Sequence, residues 1–158
     1  MGSTEYITVS KYAQGKFDLK HPEKYTGKRQ PTYRSSWEWA FMTFCDNHPS
    51  VTHWASESIN IPYFNPLKQK NTIYVPDFIV VYKDKNGTSR AEMIEIKPSG
   101  EILETVGKGV RNQAMAILNH CKWEAARKWC KENGVTFRVI TENDMFHNPK
   151  KTKKFKTK

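Results

Sequence analysis

Pro76-Asp77 and, eighteen positions beyond that aspartate, Glu95-Ile96-Lys97 are the residues of this sequence best placed to do chemistry. Side chains two apart on a strand share a face, so Glu95 and Lys97 project together while Ile94 and Ile96 turn the other way. Between the motifs lies KDKNGTS, whose Asn86-Gly87 suits a tight hairpin turn and makes the flanking strands antiparallel neighbours. Asp77 then comes close to the Glu95–Lys97 pair, and two carboxylates and an ammonium converge at one end of a sheet. Such groups among apolar strand residues are costly to desolvate unless something compensates, and a divalent cation does. Mg²⁺ takes a few carboxylates plus water and substrate phosphate. Asp77 and Glu95 are therefore candidate ligands, with the Ile96 carbonyl as a third oxygen and Mn²⁺ expected to substitute. A metal so held acidifies a water and stabilises charge on a scissile phosphate. Lys97 is placed to orient or deprotonate that water, or to neutralise the transition state. Lysine suits the part because burial shifts its pKa readily, unlike that of arginine. The competing explanation is a set of surface cross-strand ion pairs, since PD…ExK is short enough to arise by chance. Three contexts favour chemistry: both motifs lie in strand-like runs, the NG turn makes them adjacent, and Pro98 stops the strand directly after Lys97.

The elements that must position these groups follow from local signals. A helix is predicted over 36–48, with Ser35 as N-cap and Glu38 three residues on, the capping-box spacing. Trp37, Phe41, Phe44 and Cys45 form its apolar stripe. Glu38 has two roles open to it, capping the helix and aiming across the sheet at the metal, and a helix start packed beside the site allows both. Strands are predicted over 53–64, 72–82 and 90–97, with Pro62 marking an end or an edge. Pro98-Ser99-Gly100 breaks the last of them. Helices follow at about 103–119 and 121–133, with Gly134 as the C′ residue, and then a strand over 135–141. A strand, a long helical crossover and another strand imply parallel pairing. The fold class is α/β: a mixed β-sheet flanked by helices in a single domain at 34–148, preceded by a polar arm at 1–33 and followed by a basic tail at 149–158.

Bulk properties agree with one compact domain. The 158 residues carry 26 Lys and Arg against 16 Asp and Glu, for a formal charge of +10. Six of those lysines fall in the tail KKTKKFKTK at 150–158, leaving +4 for the remainder. Such a run is a solvated tail that can also grip phosphates through counterion release, or an acidic protein surface equally well. Mean hydropathy is −0.76, no apolar run approaches membrane-spanning length, and MGSTEY has no secretory pattern, so a protein working inside a cell, away from membranes, is expected. Three cysteines, Cys45, Cys121 and Cys130, with no CxxC pair, imply no disulfide framework.

The succession Tyr33-Arg34-Ser35-Ser36-Trp37-Glu38, Val75-Pro76-Asp77-Phe78 and Glu95-Ile96-Lys97-Pro98 resembles the head completion nucleases of T-even-type bacteriophages. That family is in turn similar to the TnsA-like endonucleases that cut at transposon ends, and the resemblance runs from about residue 20 to about 141. It implies a restriction-endonuclease-like fold of the PD-(D/E)XK type in which Glu38, Asp77 and Glu95 bind Mg²⁺ and Lys97 assists the water. It further implies an endonuclease acting on packaged double-stranded DNA ends and completing the head before tail joining. Portal, neck or other head-completion proteins would be its partners, in the host cytoplasm during assembly or on the virion. Three alternatives remain: a structural head-completion protein that binds the portal while retaining the nuclease fold, a TnsA-like transposase subunit that cuts DNA ends, and a nucleic-acid-binding module without chemistry. Competent residues at all four positions favour catalysis.

Further residues carry weaker signals. Gln113, after the EIK strand, is a candidate substrate contact whose ordinary reading is a solvated helix position. Lys108, Arg111, Lys122, Arg127, Lys128 and Lys131 give the late helices a basic surface, usually a solvated face and otherwise suited to phosphates. Glu57 is a substitute for Glu38. Cys45-x-x-His48 with His120-Cys121 has zinc-competent ligands in no recognised order.

Overall fold

The structure, a computed structural model, describes residues 14–101 and 109–145. Lys108, the predicted helix start near 103 and the basic tail lie outside them. Eight strands occur among the described residues: β1 (Gly15–Lys16), β2 (Thr32–Tyr33), β3 (Val51–Ser56), β4 (Ile61–Asn65), β5 (Lys70–Tyr74), β6 (Phe78–Lys83), β7 (Ser89–Ile96) and β8 (Thr136–Ile140). The α-helices are α1 (Ser36–Asn47), α2 (Gly109–Asn133) and the short α3 (Glu142–Met145).

The central sheet has the order β3-β6-β7-β8, with β7–β8 parallel and the other pairs antiparallel. This is the mixed α/β architecture that the hairpin and the helical crossover predict. The β6–β7 turn is held by the Asp84 carboxylate, which accepts from the N–H groups of Asn86 and Thr88 at 2.9 and 3.0 Å. Gly87 supplies the positive φ of 78°. At the far end of α2, Gly134 has φ 69° and the Val135 N–H donates to the Cys130 carbonyl, a Schellman closure at the predicted C′.

Side-chain alternation along β7 divides the core in two. Ile94 faces α1 and packs with Met42, Cys45, Trp54, Phe78, Val80 and Ile140. Met93 faces α2 and packs with Ala126, Cys130, Ile61 and Tyr74. No helix of the described residues is long and apolar enough to cross a membrane.

Several elements differ from expectation. The run 72–82 is not one strand: β5 pairs with β4 in a separate two-stranded hairpin, β6 enters the central sheet, and Val75-Pro76-Asp77 links them. Pro76 has no N–H to give a ladder, so the strand breaks there. The run 53–64 likewise divides into β3 and β4 after Glu57, whose φ is 49°. Pro62 sits within β4, an edge position in a two-stranded sheet. The two late helices are one, continuous from Gly109 to Asn133.

On α1 the buried row is Met42, Cys45 and Asp46. Phe41 packs at a tilt against Phe78 with ring centroids 4.8 Å apart, while the predicted Phe44 is 50% exposed beside His48. The helix is turned toward Asp46 because that carboxylate has partners inside: it accepts from the N–H groups of Lys20 at 2.8 Å and His21 at 3.3 Å. The Lys24 ammonium donates to the Asp46 and His48 carbonyls, both at 2.9 Å, satisfying the C-terminal turn. The chain before α1 is thus tied to its end, with Phe17 buried in the core.

Candidate active site

Asp77 stands immediately before β6, and Glu95 is the penultimate residue of β7. The register that sets Phe78 opposite Ile94 carries Asp77 to the position opposite Glu95. An Asp77 carboxylate oxygen accepts the Ile96 N–H at 2.8 Å, so the aspartate side chain occupies a bond that a ladder partner would otherwise take. Lys97 follows β7 directly. Its N–H donates to the Ile140 carbonyl at 3.0 Å, extending the pairing with β8, and its ammonium lies 3.9 Å from Glu95 Oε2. The structure therefore brings Asp77, Glu95 and Lys97 together at one sheet end, Glu95 being only 7% exposed.

Glu38 stands at the margin of the group, on α1. Ser35 caps the helix by accepting the Glu38 N–H at 3.1 Å, and Glu38 Oε1 accepts the Arg34 N–H at 3.1 Å. The capping role is therefore occupied, with the glutamate reaching one residue further back than a capping box does. The same side chain lies close enough for its charge to act on Asp77, and for the charge of Glu95 to act on it.

The electrostatics are those of an anion surplus. Burial first, and then the Glu95 charge, hold the Asp77 carboxyl well above the usual carboxylate range. Burial raises Glu95 too, opposed by the Tyr74 hydrogen bond and by the charges of Lys97 and Lys122. Burial raises Glu38, with the neighbouring Glu57 charge adding to it. These acids are costly to ionise together without a cation. Hard, paired carboxylate oxygens on adjacent strands suit Mg²⁺ or Mn²⁺, which draw their remaining ligands from water and substrate. Among the described residues, no three acid, histidine or cysteine side chains are gathered closely enough to hold an ion by themselves. Asp77 and Glu95 fit a divalent cation as a two-carboxylate site, with Glu38 at its margin.

Three contacts near the site are announced by no spacing in the sequence. The Tyr74 hydroxyl donates to Glu95 Oε1 at 2.6 Å, leaving Oε2 toward Lys97. Tyr74 belongs to the separate hairpin, so only the tertiary fold brings it there. The Lys122 ammonium lies 5.9 Å over the Tyr74 ring, projecting from α2 toward the same carboxylate. Arg34 holds Glu57 in a two-point ion pair beside Glu38.

Other candidates stand apart. Gln113 is exposed on α2, and no hydrogen bond or ion pair joins it to the four acid and lysine positions. Glu57 lies beside Glu38 but faces Arg34. Cys45 is buried in the core, and the Cys45/His48 and His120/Cys121 pairs assemble no metal cluster among the described residues. A cleft of about 400 Å³ between α1, α3 and the sheet is lined by Phe41, Phe44, Tyr82 and Met145 among others, and by none of the four.

The family described as TnsA-like endonuclease N terminal matches residues 48–142, which include Asp77, Glu95 and Lys97. The chain is 32% identical over 142 residues to the head completion nuclease of Enterobacteria phage T4, covering 83% of this chain and 92% of that protein.

Proposed function

Because the chain belongs to the TnsA-like endonuclease family and is a nuclease, we propose that it hydrolyses phosphodiester bonds of double-stranded DNA at the Asp77–Glu95–Lys97 centre with Mg²⁺ as cofactor. The observation that carries this is the juxtaposition of two carboxylates from neighbouring strands, Glu95 buried and Asp77 half-buried, with an ammonium 3.9 Å from Glu95. Asp77 and Glu95 would hold the cation, with the Ile96 carbonyl as a further oxygen and Glu38 at the margin. When bound, a divalent cation supplies Lewis acidity to the phosphate and to a water, and charge neutralisation. Lys97 orients that water, takes its proton or offsets charge on the phosphate as the bond to the leaving oxygen breaks. Asp77, hydrogen-bonded to the Ile96 N–H, locks the two strands so that both carboxylates keep their separation. The T4 relative is named a head completion nuclease; by extension this chain acts on packaged DNA ends during phage head completion, with portal or neck proteins as its neighbours.

The direct test incubates the purified protein with supercoiled plasmid in Mg²⁺, Mn²⁺ or EDTA. Nicked or linear product is expected with either metal and none with EDTA. Cleavage that persists in EDTA would remove the cation from the mechanism. An intact plasmid under every metal, with DNA or a head protein still bound, would favour a structural role.

Tyr74→Phe isolates the outer support of the site. The ring stays buried while Glu95 Oε1 loses its hydroxyl donor. Removing such a supporting partner weakens metal affinity by about 10-fold or more. Titration calorimetry with Mn²⁺ reads this directly, and an unchanged affinity would confine Tyr74 to packing.

A further inference from the structure

The Arg34 guanidinium grips Glu57 side-on, with Nε to Oε2 and a terminal nitrogen to Oε1 both at 3.2 Å. The pair is solvent-facing, with side-chain exposures of 58% and 36%. It is nevertheless built into the site from both ends. The Arg34 N–H donates to Glu38, and the charges of Glu38 and Asp77 act on the guanidinium. The Glu57 N–H donates to the Asp77 carbonyl at 2.9 Å, from a backbone held at a positive φ of 49°. A non-glycine residue in that region is uncommon and marks a turn fixed by its surroundings.

A site with this surplus of carboxylates repels a polyanion, so substrate binding needs a cation at the rim to receive a phosphate. Arginine's planar fork matches two phosphate oxygens as well as it matches two carboxylate oxygens. An exposed ion pair of this kind is worth about 0–1 kcal/mol, so a phosphate can displace the carboxylate at small cost. The geometry points to Arg34 as the residue that binds a backbone phosphate of the DNA strand entering the site, with Glu57 occupying its fork in the DNA-free protein and yielding it to that phosphate. This assignment rests on the nuclease reading above and adds to it a substrate contact and an internal competitor. Glu57 keeps the guanidinium extended and pre-oriented, at the expense of affinity.

The test measures binding of a short fluorescein-labelled DNA duplex by anisotropy in EDTA, and KM for plasmid cleavage in Mg²⁺, for the wild type, R34A, R34K, E57Q and the double variant R34A/E57Q. R34A is expected to raise Kd and KM about tenfold, equally for unrelated sequences. It should also lower the slope of log K against log salt by about 0.9. R34K, which keeps the charge without the fork, should fall between, and covers the case in which R34A fails to fold. E57Q is expected to tighten binding about threefold, and in the R34A background to do nothing. Unchanged Kd, KM and salt slope in R34A would overturn the assignment. So would an E57Q protein that loses binding as R34A does, since the pair would then only shape the loop. A wild type that neither binds nor cuts DNA would bring down the nuclease reading and this with it. A wild type that cuts normally beside an indifferent R34A would bring down the Arg34 assignment alone.

Discussion

Asp77→Asn is expected to lower the DNA cleavage rate at saturating substrate by about 10³-fold, and at the same time to raise the melting temperature of the metal-free protein at neutral pH. Both effects come from one charge. Asparagine keeps an oxygen to accept the Ile96 N–H in place of the 2.8 Å bond to the carboxylate, so the β6–β7 register survives while the anion is lost. In the folded protein, burial and then the Glu95 charge hold the Asp77 carboxyl well above its ordinary range. An acid whose folded pKa is raised contributes stability that is complete below its unfolded pKa, about 3.9. That stability is lost as pH rises through the folded value. The metal-free wild type therefore carries an ionisation penalty at neutral pH that Asp77→Asn lacks. Thermal melts in EDTA should coincide near pH 4 and separate as pH rises, with the variant the more stable. Adding Mg²⁺ should raise the wild type and leave the variant nearly unmoved. Wild-type activity in Asp77→Asn would exclude this residue from the reaction. Coincident melts at every pH would mean that the carboxylate repulsion does not weigh on the fold.

Trp54→Ala carries the largest expected loss of stability, about 3–5 kcal/mol. Trp54 is 1% exposed and lies at the meeting of three rings: Tyr25 at 4.7 Å, Phe17 at 6.0 Å and Phe78 at 6.3 Å. Two of the three come from the chain before α1, so one side chain joins the amino-terminal segment, β3 and β6. Truncation opens a cavity between these layers, and relaxation fills it only in part. Against a total of about 5–15 kcal/mol, such a loss leaves a marginal domain. Urea unfolding should show a lower midpoint at unchanged slope. Trp54→Phe should cost far less, because the indole N–H has no hydrogen-bond partner among the described residues and its removal forfeits none. A shift below about 1 kcal/mol for the alanine variant, smaller than usual for a truncated core aromatic, would mean that the ring cluster is not a keystone of the core.

The centre of the fold was legible because its signals are local. Asn86-Gly87 specifies the turn, alternation specifies the faces of β7, and Gly134 ends α2, so the β6–β7 hairpin and the close of α2 follow from short windows of sequence. The convergence of Asp77 with Glu95 was legible for the same reason, being a hairpin register. The misjudged elements turn on competition between local pattern and distant partners. The aromatic Phe44 yields its inward place to Met42 and Asp46, since the Asp46 carboxylate is wanted by backbone N–H groups 25 and 26 residues earlier. The apolar run 72–82 reads as one strand, yet Pro76 makes it two, and Asp77 lies at the resulting corner. The contacts of Tyr74 and Lys122 at Glu95, and the pairing of Arg34 with Glu57, were not legible, because each joins elements far apart in the chain that no spacing rule connects.

The parallel bridge between Tyr25 and Trp54, and the Thr26 N–H donated to the Trp54 carbonyl at 2.9 Å, lie along the outer side of β3. That strand ends the central sheet, and a bare sheet end is a template on which any other extended chain can add itself. The amino-terminal segment is thus a guard as well as a packing layer. A fragment beginning after residue 33 would retain every acid and lysine of the site, yet present an open row of backbone donors and acceptors. Its expected fate is self-association through those strand edges, which ties solubility at high concentration to a stretch of chain well removed from the reacting groups.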